Sequence, residues 1–333
     1  MKKKVFRVLG VVLGLVVLAV AGGLTYVTTA LPDVGPAPDI KVEITPAQIE
    51  RGKYLANHVA VCTDCHSKRD YSRFAGPITP GTFGAGGERF GPEMGLPGTL
   101  YSKNITPFAL KDWTDGEIYR AITAGVSRNG EALFPLMPYH AVGQMDDRDV
   151  YAIIAYLRSL PSVPSHIPAT QLDFPMNVIV KTIPVKGKPQ VRPERQDVLA
   201  YGAYITRSAL CGDCHTQMDK GAPIAGMEFA GGREFKFPHS TVRSANLTPD
   251  KETGIGNWTE EMFVQRFKLY ADSTYHAPAV GKGEFNTPMP WAMYAGMEEY
   301  DLKAIFAYLK TIKPVPNKVV RFEPHGAETL ATN

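Results

Sequence analysis

All four cysteines of the chain fall in two five-residue motifs, Cys62-Thr63-Asp64-Cys65-His66 and Cys211-Gly212-Asp213-Cys214-His215. None is left over for a disulfide or a lone thiol. A four-thiolate zinc ribbon keeps its two pairs about 15–20 residues apart, whereas these pairs stand 149 residues apart. A thioredoxin-like redox pair needs no following histidine and usually sits in a strand-to-helix setting that is missing here. Neither explains why a histidine directly follows both pairs. Cys-x-x-Cys-His is the attachment sequence of c-type haem: two thiols add to the vinyl groups, and the adjacent imidazole reaches the iron from the same side. Two covalently bound haem c groups are therefore expected, one on Cys62 and Cys65 and one on Cys211 and Cys214. His66 and His215 are the matching iron ligands.

The second half of the chain repeats the first. Ser102-Lys-Asn-Ile-Thr-Pro107 returns as Ser244-Ala-Asn-Leu-Thr-Pro249, and Asp112-Trp-Thr-Asp115 as Asn257-Trp-Thr-Glu260. Met137-Pro-Tyr139 returns as Met289-Pro-Trp291, and Ile153-Ile-Ala-Tyr-Leu157 as Ile305-Phe-Ala-Tyr-Leu309. Helix signals recur in register. Thr45-Pro46-Ala47-Gln48 offers an N-cap, a first-turn proline and a capping-box glutamine, and Thr114 to Glu117 offers a second box matched by Thr259 and Glu260. Asp146 opens a helix carrying Val150, Ile153, Ile154 and Leu157 until Pro161 stops it, and Leu302, Ile305, Phe306 and Leu309 repeat that face. Strand-like alternation is scarce. The expected fold is mainly α: an N-terminal transmembrane helix, then two tandem cytochrome c-like helical haem domains with long loops.

A haem iron with one histidine needs a sixth partner or an open position. Met137 and Met289 stand in Pro-bracketed loops, register on each other across the repeat, and are the expected thioether ligands. Met145 and Met297 also register but read as packing residues, as do Met94, Met176, Met218, Met227 and Met262. His140 and His276 do not align between the copies and are the weaker axial rivals. A His/Met pair saturates the iron and raises its potential, which suits electron transfer and leaves no place for oxygen or peroxide. Gly84-Ala-Gly-Gly-Glu-Arg89 lacks the Gly-Lys-Ser/Thr of a phosphate loop and returns as Ala230-Gly-Gly-Arg-Glu234, so it reads as a haem-edge turn. Trp113 and Trp258 read as core. Arg89 and Arg233 are candidates for haem propionates as much as plain surface charge. The sequons at Asn104, Asn246 and Asn257 read as turn chemistry.

Val8 to Val27 is twenty residues without a charge, preceded by Lys2, Lys3, Lys4 and Arg7. A helix of that length covers roughly 30 Å, the depth of a hydrocarbon core, and its basic flank should stay cytoplasmic. An uncleaved anchor is favoured over a signal peptide cut after Ala19-Val20-Ala21, because the apolar run continues past Ala21. Without those four cations, 32 basic residues face 33 acids in the body, so no basic face for nucleic acid is expected. The resulting division is an anchor over 1–30, a Pro-rich tether over 31–44, a first domain over 45–165, a linker over 166–193, a second domain over 194–318 and a C-terminal tail over 319–333. Phe174, Met176, Val178, Ile179 and Val180 make the linker apolar enough to pack along the domains.

The two pentads, the Asn-Ile/Leu-Thr-Pro and Trp-Thr-Asp/Glu segments and the Met-Pro-Tyr/Trp loops resemble the membrane-anchored dihaem class I cytochromes c. These are similar to the cytochrome subunits of bacterial alcohol, aldehyde and gluconate dehydrogenases, and the likeness runs over about residues 45 to 318. Those subunits often carry three haems, against two pentads here. The resemblance implies helical cytochrome domains, covalent haem c, and electron passage from a periplasmic or membrane-bound dehydrogenase to quinone or a terminal oxidase. It also implies an inner-membrane anchor with the haem domains in the periplasm and no substrate chemistry in this chain, hence no catalytic residues. The rivals are a dihaem peroxidase-like enzyme with one iron lacking methionine, and a donor subunit of a terminal oxidase.

Overall fold

The computed structural model describes residues 2–219, 221–272 and 274–325. The first helix, α1 (Lys2–Ala30), is 29 residues long and exposed along its length. By length and composition it can cross a membrane. The hydroxyls of Thr25, Thr28 and Thr29 turn back onto the carbonyls of Ala21, Leu24 and Thr25, so they need no water.

Two sets of three helices follow: α2 (Pro46–Tyr54), α3 (Asp115–Ala124) and α4 (Asp147–Ser159), then α5 (Val198–Ser208), α6 (Glu260–Lys268) and α7 (Glu299–Leu309). Thr114 and Glu117 close both arms of the capping box that starts α3. Thr45 caps α2 through its hydroxyl alone, while the Gln48 Oε1 is buried without a partner, so that box is only half made. Asp146 caps α4 as expected, and Glu298 stands at the start of α7.

In each half the first helix packs on the last, α2 on α4 and α5 on α7. A glycine sets each crossing. A Cβ on Gly52 would stand 1.8 Å from the Ala152 carbonyl oxygen, and one on Gly202 would stand 2.1 Å from that of Ala304. Backbone cannot yield as a side chain would, so Gly52→Ala or Gly202→Ala should force the helix pair apart. The expected cost is about 1–3 kcal/mol, read as a lower midpoint in chemical denaturation. Gly52 and Gly202 also show where the repeat slips. Ten positions separate Gly52 from Cys62 and nine separate Gly202 from Cys211. The extra residue is taken up by a π-helical turn at Leu55–Val59, which lets α2 keep its packing while Cys62 stays in place.

One apolar core runs through both halves, with Leu55, Ile153 and Ile154 continuous with Ile205, Leu302 and Leu309. Across it the halves exchange hydrogen bonds. The Tyr54 hydroxyl donates to Asp301 Oδ2 at 2.6 Å, and the Tyr204 hydroxyl donates to Asp149 Oδ2 at 2.7 Å. Each aspartate is 1% exposed. Arg51 binds Asp149 through two nitrogens at 3.0 and 3.1 Å, and Arg192 adds a third contact. Asp301 takes Tyr201 at 3.0 Å and Arg195 at 3.1 Å. Burial first, then the facing carboxylate, holds the Tyr54 and Tyr204 hydroxyls well above their ordinary pKa, so both stay donors.

Strands are short, as the lack of alternation implied, but more numerous than expected. β1 (Arg89–Phe90), β2 (Gly98–Tyr101) and β3 (Gln171–Leu172) form one antiparallel sheet, and β4 (Met218–Asp219) pairs with β5 (Ala222–Pro223). β6 (Glu234–Phe237) and β7 (Ser240–Arg243) form a hairpin that β8 (Phe322–Pro324) joins. Residues expected as linker and tail thus supply edge strands. The rest of the tail, 326–333, lies outside the described residues. The linker buries Val180 and half-buries Met176 and Val178, but leaves Phe174 and Ile179 exposed. Met94 and Met262 are likewise exposed rather than filling core gaps.

Candidate haem sites

Each pentad forms a short helical turn, Cys62–Cys65 and Cys211–His215, entered through a residue in the left-handed region. Val61 has φ 43° and Leu210 φ 58°. Such a conformation is costly for a β-branched or bulky residue and persists only where the surroundings impose it. Its recurrence before both pentads ties it to placing the first cysteine. Those first cysteines are half-buried, and burial pushes the thiols up to about 11 at Cys62 and about 12 at Cys211. A pair poised for thiolate chemistry would be held low instead.

The histidines are turned the same way. His66 Nδ1 lies 2.6 Å from the Lys103 carbonyl, and His215 Nδ1 lies 2.8 Å from the Ala245 carbonyl. A carbonyl can only accept, so Nδ1 carries the proton and Nε2 keeps its lone pair for a metal. Burial lowers both imidazole pKa values, to about 4 at His215, so both rings stay neutral at pH 7. The accepting carbonyls belong to the residue before Asn104 and before Asn246. Asn104 Oδ1 accepts from the backbone and hydroxyl of Thr106 while its amide donates to the Val163 carbonyl; Asn246 does the same with Thr248 and Val315. Both asparagines are buried, which makes these sequons turn chemistry as expected. The Gly-Gly turns serve the same strand: Gly86 donates to the His66 carbonyl and Gly231 to the His215 carbonyl. Gly86 has φ 70°, and a Cβ there would stand 2.6 Å from the Lys103 backbone, so only glycine permits this approach.

Met137 and Met289 are half-buried against the core. Their carbonyls accept from Tyr139 and Trp291 at 2.8 Å, which bends both Met-Pro loops alike. Met145 and Met297 are each 1% exposed and pack in the core. Trp113 and Trp258 are half-buried against that core. His276 is exposed, and His140 Nε2 sits 3.3 Å from Asp213 Oδ2, inside the other half's pentad. The Tyr294 hydroxyl donates to the Ala209 carbonyl at 2.6 Å, and after burial its pKa is raised most by Cys211, Cys214, Asp64 and Cys65.

No family model matches the chain. Among curated proteins it is 30% identical over 297 residues to the fructose dehydrogenase cytochrome subunit of Gluconobacter japonicus, covering 81% of this chain and 54% of that one. It is 27% identical to the gluconate 2-dehydrogenase cytochrome c subunit of Pantoea cypripedii, over 80% of this chain and 60% of that one. It is 26% identical to the cytochrome c subunit of the quinone alcohol dehydrogenase of Gluconacetobacter polyoxogenes, over 86% and 61%. The chain is a relative of the cytochrome c subunits of bacterial dehydrogenases. It spans a little over half the length of these relatives.

The cytochrome c relatives imply covalently bound haem c, and the residues of this chain fit that group. Among the described residues no three His, Cys, Asp or Glu side chains gather to hold a metal ion. The Tyr139 hydroxyl, two residues beyond Met137, is buried without a partner from the protein. The two candidate arginines differ in role and in register, since Arg233 stands where the first half has Glu88. Arg89 pairs with Glu93 at the surface, whereas Arg233 donates to the Asp213 carbonyl in the pentad. Arg69, which sequence reasoning did not single out, makes a buried ion pair with Asp64 of the first pentad. Its signal was slight: one arginine three residues beyond the pentad, with no counterpart in the repeat.

Proposed function

We propose that the chain is a dihaem c-type cytochrome relaying electrons on the periplasmic side of the inner membrane, from a partner dehydrogenase to quinone or a terminal oxidase. Two tandem haem domains, 45–165 and 194–318, carry it, with α1 as a single uncleaved anchor. Cys62 and Cys65 hold one haem and Cys211 and Cys214 the other; His66 and Met137, and His215 and Met289, are the axial ligands. When bound, haem c supplies an iron that cycles between two oxidation states. The protein orients each imidazole through a backbone carbonyl and keeps both rings neutral. The observation that carries the reading is the matched Nδ1–carbonyl bond behind each pentad histidine, which leaves Nε2 free in both copies. Chain mass from a host competent in cytochrome maturation, with haem quantitation, tests it; two haems per chain are expected, and a bare polypeptide would overturn it.

The methionine assignments have their own test. Met137→Ala or Met289→Ala should convert one haem from low to high spin and lower its midpoint potential by on the order of 0.1 V, given the roughly 0.8 V span that axial ligands command. Ferric spectra and redox titration read this. A high-spin haem and peroxide turnover with both methionines intact would favour the peroxidase-like reading. Recovery from native membranes with a flavin or quinoprotein dehydrogenase supports the partner proposed; recovery with a copper–haem oxidase replaces it.

A further inference from the structure

We propose that the segment from Phe174 to Lys188 lies on the bilayer that receives α1, with its lysines on anionic lipid headgroups. This deepens, and rests on, the reading of α1 as an anchor. Residues 174–193 contain Lys181, Lys186, Lys188 and Arg192 and no acid, whereas the rest of the body holds 28 basic residues against 33 acids. Arg192 is spent on Asp149, which leaves the three lysines. Lys186 and Lys188 are exposed. Lys181 Nζ donates to the Thr28 carbonyl at 3.0 Å, one residue beyond the uncharged stretch of α1. The segment is therefore held where α1 leaves the hydrocarbon, at the level of the exposed Tyr26, a residue type that favours this boundary.

The same segment shows apolar side chains that the body does not cover. Phe174 is 80% exposed, Val185 57% and Ile179 43%. They do not hang on a loose loop: Leu172 pairs with Gly98 in the sheet, Asp173 donates its N–H to the Pro97 carbonyl at 3.1 Å, and Val180 is buried. Fixed backbone, apolar side chains and single-sign charge at the mouth of a membrane helix match what an interfacial element needs. Any occupant of this face must share space with the headgroups around the end of α1, which favours lipid over a protein partner.

The test uses the haem-loaded full chain in nanodiscs of phosphatidylcholine, with and without added phosphatidylglycerol, followed by hydrogen exchange. Amides over 174–188 should exchange roughly tenfold more slowly with the anionic lipid. High salt should shrink that difference. Lys181→Gln, Lys186→Gln and Lys188→Gln together should abolish it, and Phe174→Ser with Ile179→Ser should raise exchange in both lipids. Equal exchange in both lipids, with residues 8–27 protected, would overturn the proposal and leave the anchor standing. Free exchange over residues 8–27 would instead remove the anchor reading and the proposal with it. Protection that appears only with a co-isolated dehydrogenase bound would also overturn it and assign the face to that protein.

Discussion

Replacing Cys62 and Cys65 together by alanine is expected to unfold the first half, not merely to leave it colourless. Between His66 and Thr106 and between Gly125 and Met145 the chain runs mostly as loops and short turns. Phe83, Ile105 and Met137 from those loops are only partly covered by the helical core. A covalently held porphyrin would supply the missing apolar surface, and without it the loops have little to offset their ordering entropy. The loss should exceed the roughly 5–15 kcal/mol margin of a typical domain. Circular dichroism and limited proteolysis read the outcome, and a native-like, protease-resistant double variant would contradict it.

Asp149→Ala should cost about 3–5 kcal/mol, the range for removing one partner of a buried ion pair. The loss strands Arg51, Arg192 and the Tyr204 hydroxyl at once, with little water to replace the carboxylate. Asp301→Ala should behave alike, because Tyr54, Tyr201 and Arg195 converge on it. Tyr204→Phe should cost about 2–4 kcal/mol, since the hydroxyl's charge-assisted bond to Asp149 and the bond it accepts from the Asp146 N–H are both lost. A double-mutant cycle between Tyr204 and Asp149 by chemical denaturation isolates the bond between those two, and a coupling near zero would refute the inter-half contact.

The pentads, the repeat and the helix faces were legible because each rests on residue identity at fixed spacing. Asn104 and Asn246 were legible only as turn formers. That they set the carbonyls behind the pentad histidines depends on backbone direction, which no residue identity encodes. The exchange of Tyr54 and Tyr204 between halves was invisible for a similar reason: a tyrosine on a helix face reads as core until the neighbouring helix is in place. The short strands escaped because two to four residues are too few for alternation to register. Phe174 and Ile179 were misread as packed because hydrophobicity alone does not say which surface, protein or lipid, will cover a side chain.

The crossed tyrosines have a consequence for how the chain divides. Tyr54 and Asp149 lie in one half, Tyr204 and Asp301 in the other, and each tyrosine hydroxyl bonds across to the opposite half, donating to its aspartate and accepting from the N–H of Glu298 or Asp146. Each half therefore owns both a donor and an acceptor of the kind its neighbour needs, as in a symmetric homodimer. A first half expressed alone with its haem would be self-complementary at this face and should pair with a second copy of itself. The two halves sit together as fused protomers, joined end to end by a linker whose Arg192 binds one shared carboxylate, with Arg195 just beyond it binding the other.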